Sequence, residues 1–135
     1  MFKIQDMLQS ELSEQKRLDV YHAYQRSIAK FGDSARFVSK STLFDEAMRM
    51  SAPRFYVTYE RAARIISSFR KGNIPDMSNP LKMEMYRDIY RLFVEKTDGK
   101  IKSLRGVLEM EAPSFYIDKR HFARLIRQSL KHKTK

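Results

Sequence analysis

The chain contains two copies of one sequence unit. The hexapeptide 52–57, Ala-Pro-Arg-Phe-Tyr-Val, recurs sixty positions later at 112–117 as Ala-Pro-Ser-Phe-Tyr-Ile. Aligned at that offset, residues 41–71 and 101–131 are identical at nine of 31 positions. Self-similarity at a fixed spacing is typical of a small supersecondary unit that occurs more than once and packs with its copies. The repeat therefore constrains the fold more than any other feature of this sequence.

Each copy is predicted to contain a long helix, a short helix, an aromatic turn and a third helix. Residues 1–31 hold no Gly or Pro, and their apolar side chains recur every three or four positions. This pattern predicts one long helix that stops at Gly32. A short helix through about Met50 is predicted to open at Thr42, with Asp45 completing a capping arrangement. The proline of the hexapeptide ends that helix, because the residue before a proline disfavours the α conformation.

The third helix of each copy begins directly after the aromatic turn. Thr58 and Asp118 occupy the same aligned position, and the side-chain oxygen of either residue can cap the free N–H groups of a first helical turn. We therefore expect a third helix over about 59–70 in the first copy, with Gly72 as its C-terminal stop. The aligned helix of the second copy is expected to follow Asp118.

The domain boundaries follow from the same signals. Asn79 as an N-cap and Pro80 as the first helical residue open the long helix of the second copy. We expect residues 1–71 to form an N-terminal helical arm and the first trihelical repeat. Residues 72–79 are then a linker, and residues 80–135 form the second trihelical repeat with a basic tail.

The positive charge of the chain is concentrated in the third helices. The sequence has 27 Lys and Arg against 16 Asp and Glu, a formal net charge of +11. Residues 54–71 carry five basic residues and one acid, and residues 118–135 carry seven basic residues and one acid. A basic excess at equivalent segments of a repeat is typical of a protein that binds a polyanion. The alternative is a highly charged helix face that is simply solvated.

A trihelical unit with a basic third helix resembles the helix-turn-helix modules, in which the third helix enters the DNA major groove. The resemblance covers residues 41–71 and 101–131. The turn departs from the pattern, since residues 51–57 hold a proline and two aromatics instead of a short glycine-containing turn. The Ala-Pro-x-Phe-Tyr-Val/Ile signature is also similar to small bacterial proteins with tandem repeats of this kind. The resemblance implies an all-α fold of two tandem trihelical, helix-turn-helix-like repeats packed as one compact unit.

Charge and resemblance together predict a non-catalytic protein that binds double-stranded DNA, as a regulator or accessory factor of a phage or mobile element. Arg64 and Arg124 are identical at the middle of the two third helices and are the strongest contact candidates. For Arg64 the alternative is an intrahelical ion pair with Glu60. The predicted DNA-binding residues are Arg54, Arg61, Arg64, Ser68, Lys71, Lys119, Arg120, His121, Arg124, Arg127, Gln128 and Lys131.

The repeated aromatic turn leaves two other functions open. Phe55, Tyr56, Phe115 and Tyr116 can stack on the bases of RNA or single-stranded DNA, or can grip a protein partner if the chain is an interaction adaptor. We favour a third interpretation, in which the aromatic pair is a core plug that holds the turn. A homodimer through the N-terminal helix is a further possible assembly.

Composition argues against several classes of protein. The chain has no cysteine, which excludes disulfides and cysteine nucleophiles, and its three histidines lie too far apart for a local metal-ligand pattern. Four scattered glycines exclude the phosphate-binding loops of nucleotide enzymes. We expect no enzyme, cofactor or metal. No apolar run reaches the length of a membrane span and the N-terminus lacks a signal-peptide pattern, so we expect a cytoplasmic protein that does not enter a membrane.

Overall fold

The chain is all-helical. The computed structural model describes residues 8–75 and 77–133, and within these ranges it has no β-strand, which confirms the predicted all-α class. Residues 1–7 of the predicted first helix lie outside the described part. The helices are α1 Gln9–Phe31, α2 Lys40–Met48, α3 Tyr59–Arg70, α4 Pro80–Lys96, α5 Leu104–Leu108 and α6 Lys119–Lys133, with 3₁₀ helices at Gly32–Phe37 and Ile101–Ser103.

Three predicted N-caps are confirmed. Thr58 precedes α3, and its hydroxyl oxygen accepts from the backbone N–H of Arg61 at 3.3 Å. Asp118 precedes α6, and its Oδ1 accepts from the N–H of His121 at 2.8 Å. Asn79 caps α4 in the same way, with proline as the first residue of that helix. The starts of three helices are therefore set by single side chains that satisfy otherwise free backbone donors.

The prediction that Thr42 opens α2 is wrong. Ser39 is the N-cap, its Oγ accepts from the backbone N–H of Thr42 at 3.1 Å, and α2 begins at Lys40. The chain is extended at Val38 and Ser39, which is the backbone conformation that an N-cap requires. Thr42 and Asp45 already lie inside the helix.

Two glycines are required by their backbone geometry. Gly72 has φ +78° directly after α3, and its N–H donates to the carbonyl of Phe69 at 3.0 Å, as expected of a glycine that ends a helix. Gly99 has φ +81°, and a Cβ at this position would lie 3.1 Å from a guanidinium nitrogen of Arg70. Arg70 also donates to the Gly99 carbonyl. Larger residues at position 99 would disturb this contact.

The chain divides into two compact units, and neither of them is one sequence repeat. Unit 1 contains the residues up to Ser13 and Arg54–Met110, and therefore holds α3 with α4 and α5. Unit 2 contains Glu14–Pro53 and the residues from Glu111 onwards, and holds most of α1 with α2 and α6. Each unit thus combines the long and short helices of one copy with the third helix of the other. We call this the exchanged arrangement.

The division into units does not coincide with the predicted linker at 72–79, which lies inside unit 1. The chain leaves unit 2 after Pro53 and leaves unit 1 after Met110, at the two aromatic turns. Consecutive helices α2 and α3 lie in different units, and so do α5 and α6. Instead, α2 packs against α6 in unit 2 and α5 packs against α3 in unit 1. The physical reason lies in the proline-containing segment after α2 and after α5, because the residue before a proline disfavours the α conformation and the chain passes to the other unit there.

Unit 1 is held together by apolar contacts of α3, α4 and α5. The ring of Phe69 on α3 lies 5.3 Å from the ring of Tyr90 on α4, measured between centroids. The N–H of Phe55 donates to the carbonyl of Leu108 at 2.9 Å and attaches the aromatic turn to the end of α5. The buried side chains of this unit include Ala62, Ile66, Met85, Ile89, Phe93, Leu104 and Val107.

Unit 2 is organised around Phe44 of α2. Its ring lies 5.4 Å from the ring of Tyr24 on α1 and 5.8 Å from that of Phe122 on α6, so it contacts both other helices of the unit. In the same unit, Ala52 and Ala112 exchange two backbone hydrogen bonds of 2.8 Å in an isolated antiparallel bridge. The bridge joins the equivalent alanines of the two copies.

The aromatic turns are core plugs, as predicted. Phe55 is 1% exposed and Phe115 is 3% exposed. Tyr56 is half-buried and Tyr116 is buried. Tyr116 has φ +55°, a left-handed conformation that is strained for a bulky residue, and its N–H donates to Ser114 Oγ at 2.9 Å. Because both phenylalanines are buried, their rings are not exposed for stacking on bases.

Candidate nucleic-acid interface

The structure divides the twelve predicted DNA-binding residues between the two units. The candidates from the first copy lie in unit 1, and the candidates from the second copy lie in unit 2. Unit 1 therefore holds Arg54, Arg61, Arg64, Ser68 and Lys71, and unit 2 holds Lys119, Arg120, His121, Arg124, Arg127, Gln128 and Lys131.

In unit 2, α6 has one buried and one cationic face. The buried face consists of the predicted core positions, with Ser129 completing the apolar row Phe122, Leu125 and Ile126. On the opposite face Arg120, Arg124 and Arg127 are exposed. Their spacing of four and three residues places them along one side of the helix. We call these three residues the arginine face. Gln128 and Lys131 are also exposed beside it.

The arginine face carries positive charge that no neighbouring acid neutralises. Elsewhere in unit 2, Lys30 and Arg49 both pair with Glu46. In the described part of the chain, by contrast, no carboxylate pairs with Arg120, Arg124 or Arg127. The sequence of α6 itself contains six Lys and Arg and no acid. A charge arranged in this way is available to an anionic partner.

The N-terminal half of α6 borders a surface depression of about 520 Å³. It is lined by Asp118, Arg120, His121, Arg124 and Arg127, and we call it the α6 depression. Four of these side chains are cationic or can become so. The carboxylate of Asp118 is already engaged as the N-cap of α6. The lining therefore favours an anion.

His121 is the titratable group of the α6 depression. Burial of its half-buried imidazole lowers the pKa of His121, and the positive charges of Lys16 and Arg124 lower it further. Asp118 acts in the opposite direction but does not reverse the shift. These effects favour the neutral form of the His121 ring in the free protein.

Lys119 is engaged within unit 2. Its Nζ lies 2.9 Å from Asp45 Oδ1 and also donates to the hydroxyl of Ser41. Both partners are on α2, so the ammonium group connects α6 with α2. The charge of Lys119 is thus compensated by an acid of another helix.

The candidates in unit 1 are more often engaged in internal contacts. Arg61 Nε donates to the hydroxyl of Tyr86 at 3.1 Å, and Arg54 Nε donates to the carbonyl of Phe55 at 3.1 Å. The hydroxyl of Ser68 donates back to the carbonyl of the preceding turn at 3.2 Å. Arg70, which contributes to the basic excess, lies with its guanidinium 4.9 Å from the ring centre of a buried phenylalanine of α4.

The two remaining candidates of unit 1 form no ion pair among the described residues. Arg64 and Lys71 are exposed, and the predicted alternative for Arg64, an ion pair with Glu60, does not form in the described structure. Glu60 nevertheless places a negative charge at the position that Arg120 occupies in α6. The two third helices are therefore unequal, and α6 is the more cationic surface.

Sequence reasoning missed the partners that reduce or modify this charge. Asp45 pairs with Lys119 and Tyr86 accepts from Arg61, although each pair is more than 20 residues apart in sequence. Lys16 acts on His121 from α1. No local pattern could have identified these contacts, because each depends on how helices of different copies pack.

Further properties of the described residues bear on function. None of the helices there combines the length and apolar character needed to cross a bilayer. The same residues contain no group of three or more His, Cys, Asp or Glu side chains placed to hold a metal ion. Comparisons of the chain with models of protein families, with curated proteins and with solved structures give no match.

Proposed function

We propose that the protein binds duplex DNA without catalysing a reaction, and that α6 of unit 2 supplies the principal contact surface. The observation that carries this proposal is the arginine face. Arg120, Arg124 and Arg127 are exposed along one side of a helix and have no carboxylate partner among the described residues. Arginine is the side chain best suited to bind phosphate and the edge of guanine.

The shape of α6 favours a duplex over a single strand. A helix of 15 residues is about 22 Å long and fits a major groove about 12 Å wide. It packs against the short helix α2, as the recognition helix of a helix-turn-helix module packs against the helix before it. Single-strand binding usually relies on exposed aromatic rings. The exposed positions of α6 that the structure describes carry no aromatic side chain.

The adaptor alternative is less well supported. It requires the repeated aromatic turn to reach a protein partner. Phe55 and Phe115 are buried, and Tyr116 is buried with them. A partner would have to open the core of either unit to reach these rings.

Salt-dependent binding to duplex DNA tests the proposal. If about six phosphates are neutralised, a plot of log affinity against log salt concentration should have a slope of about −5. The measurement is a fluorescence-anisotropy titration of labelled duplex at several salt concentrations. Absence of binding at low salt, or an affinity that does not change with salt, would overturn the proposal.

A matched pair of variants locates the surface. Arg124→Ala should weaken binding by about 1–3 kcal/mol if the guanidinium contacts a base edge, and a phosphate contact should reduce the salt slope by about 1. Arg26→Ala removes the same charge from an exposed position on α1 of the same unit and should leave the affinity close to that of the wild type. Arg64→Ala on α3 should have the smaller effect of the two third-helix variants. Equal losses for Arg26→Ala and Arg124→Ala would show that only net charge matters.

A further inference from the structure

The α6 depression places a histidine among permanent cations. His121 lines it together with Arg120, Arg124 and Arg127. The charged groups that act on the ring are Lys16 from α1 and Arg124 and Asp118 from α6 and its cap. On α2, Asp45 is paired with Lys119. In the free protein the ring is thus surrounded by an excess of positive charge that opposes its protonation.

We propose that the α6 depression seats one phosphate group of the bound DNA backbone and that His121 takes up a proton from solvent when the phosphate binds. This inference rests on the proposed function, and it adds a defined binding site and a dependence on pH. The negative charge of a phosphodiester offsets the repulsion from Lys16 and Arg124. The protonated imidazole can then donate a hydrogen bond to a phosphate oxygen.

Asp118 does not already fill this role. Its Oδ1 accepts from the backbone N–H of His121, and its charge fails to restore the ordinary proton affinity of the ring. The volume of about 520 Å³ leaves ample space for a phosphate beside the side chains that line the depression. The arginines supply the fixed charge and His121 supplies the part that responds to pH.

The sign of the pH dependence follows from linkage. Binding raises the pKa of His121 from its lowered value, so the complex holds more protons than the free protein between the two pKa values. Affinity for duplex DNA should therefore increase as pH falls through that interval, by at most about tenfold per pH unit for one proton. At a pH above both values the effect should disappear.

The test measures duplex affinity between about pH 5 and pH 8 at constant salt, together with calorimetry in buffers of different ionisation enthalpy. The wild type should take up a proton on binding, and His121→Gln should bind with little or no dependence on pH. His22→Gln is the matched control, because His22 is exposed on α1 of the same unit. Salt-dependent binding that is indifferent to pH, or a pH dependence that persists in His121→Gln, would overturn the inference and leave the proposed function intact.

A second measurement tests the phosphate site independently of duplex binding. The imidazole of His121 is titrated by NMR in the free protein, with inorganic phosphate and with duplex. Inorganic phosphate alone should raise the pKa of His121. A rise with phosphate in a protein that does not bind duplex would support the site and refute the proposed function. An unchanged His121 pKa with both probes would refute the site.

Discussion

Phe55 and Phe115 have the same role in two units built from different helices. Each follows a proline and precedes an N-cap, and each is almost fully buried. Phe55 is attached to α5 by its backbone N–H, which donates to the Leu108 carbonyl. The chain passes from one unit to the other within a few residues of both side chains. A large buried ring therefore lies close to each of these two points.

Removal of either ring should destabilise the protein strongly. Phe55→Ala and Phe115→Ala should each lower the free energy of unfolding by about 3–5 kcal/mol, because truncation of a large buried ring loses its burial and leaves a cavity. Phe37→Ala is the control, since Phe37 is 79% exposed and its loss should change stability by no more than about 0.5 kcal/mol. Urea unfolding of the three variants measures the difference. If Phe115→Ala were as stable as Phe37→Ala, the plug interpretation would be wrong.

At the scale of elements, α3 and α6 show how the third helices of the two copies differ. Each begins after a capping residue, and these two residues, Thr58 and Asp118, occupy the same aligned position. Both helices bury the same face. The first turn of α3 contains the acid Glu60, which the helix dipole favours, whereas the first turn of α6 contains no acid. The first turn of α6 contains Lys119, Arg120 and His121 instead. Cations at a helix N-terminus are locally unfavourable, and an anion bound beside them would relieve this cost.

Substitutions of Asp118 should therefore change stability and DNA affinity in opposite directions. Asp118→Ala removes the N-cap of α6 and should cost about 1 kcal/mol of stability. It also removes the acid from the α6 depression, so duplex affinity should rise. Thermal unfolding and a DNA titration on the same sample measure both effects.

Two control variants separate the cap from the charge. Asp118→Ser keeps a capping oxygen and removes the charge, so it should gain affinity with little loss of stability. Thr58→Ala removes the equivalent cap of α3 and should lose stability without gaining affinity. A loss of affinity in Asp118→Ser would contradict the placement of a DNA phosphate in this depression.

The sequence predicted the elements better than their packing. The bounds of α3 were predicted correctly because Thr58 and Gly72 act on their immediate neighbours. The N-cap of α2 was missed by three residues because Ser39 and Thr42 are both capping types, and only the extended backbone of Ser39 decides between them. The exposure of Arg120 and its neighbours follows from helical periodicity. The arginine face has no carboxylate partner among the described residues, whereas Lys119 pairs with Asp45. This difference depends on contacts between helices that no local signal encodes.

The exchanged arrangement was beyond prediction for a related reason. The two copies present similar apolar faces, so a third helix can pack on the short helix of its own copy or of the other. Because the copies are similar in sequence, the sequence does not indicate on which of the two short helices a third helix packs. The structure shows that the chain changes unit at the proline-containing segment after each short helix.

For the whole molecule, the exchanged arrangement makes the two sequence repeats interdependent. The chain passes between the units within α1, after Pro53 and after Met110. A cut at the predicted linker 72–79 therefore falls inside unit 1, between α3 and α4, and separates each third helix from the helices on which it packs. Fragment 1–71 keeps α1 and α2 but loses α6, and fragment 80–135 keeps α4 and α5 but loses α3.

Neither fragment should fold alone, and the mixture should recover the native structure. Each isolated fragment lacks the third helix that completes its core, and short helices without tertiary contacts are marginal in water. We expect low helicity and no cooperative melting for each fragment by circular dichroism. An equimolar mixture should regain both, with a melting temperature that rises with concentration because folding has become bimolecular.

The covalent linker raises the effective concentration of one half around the other to the millimolar range, and this advantage is lost in the mixture. The mixed fragments should therefore melt below the intact chain at micromolar concentration and approach it as concentration increases. The control is a chain with its linker intact, whose melting temperature should not depend on concentration if it is monomeric. If fragment 1–71 alone melted cooperatively at the temperature of the intact chain, its own α3 would complete its core. The exchange would then be refuted, and the predicted boundary at 72–79 would separate two independent repeats.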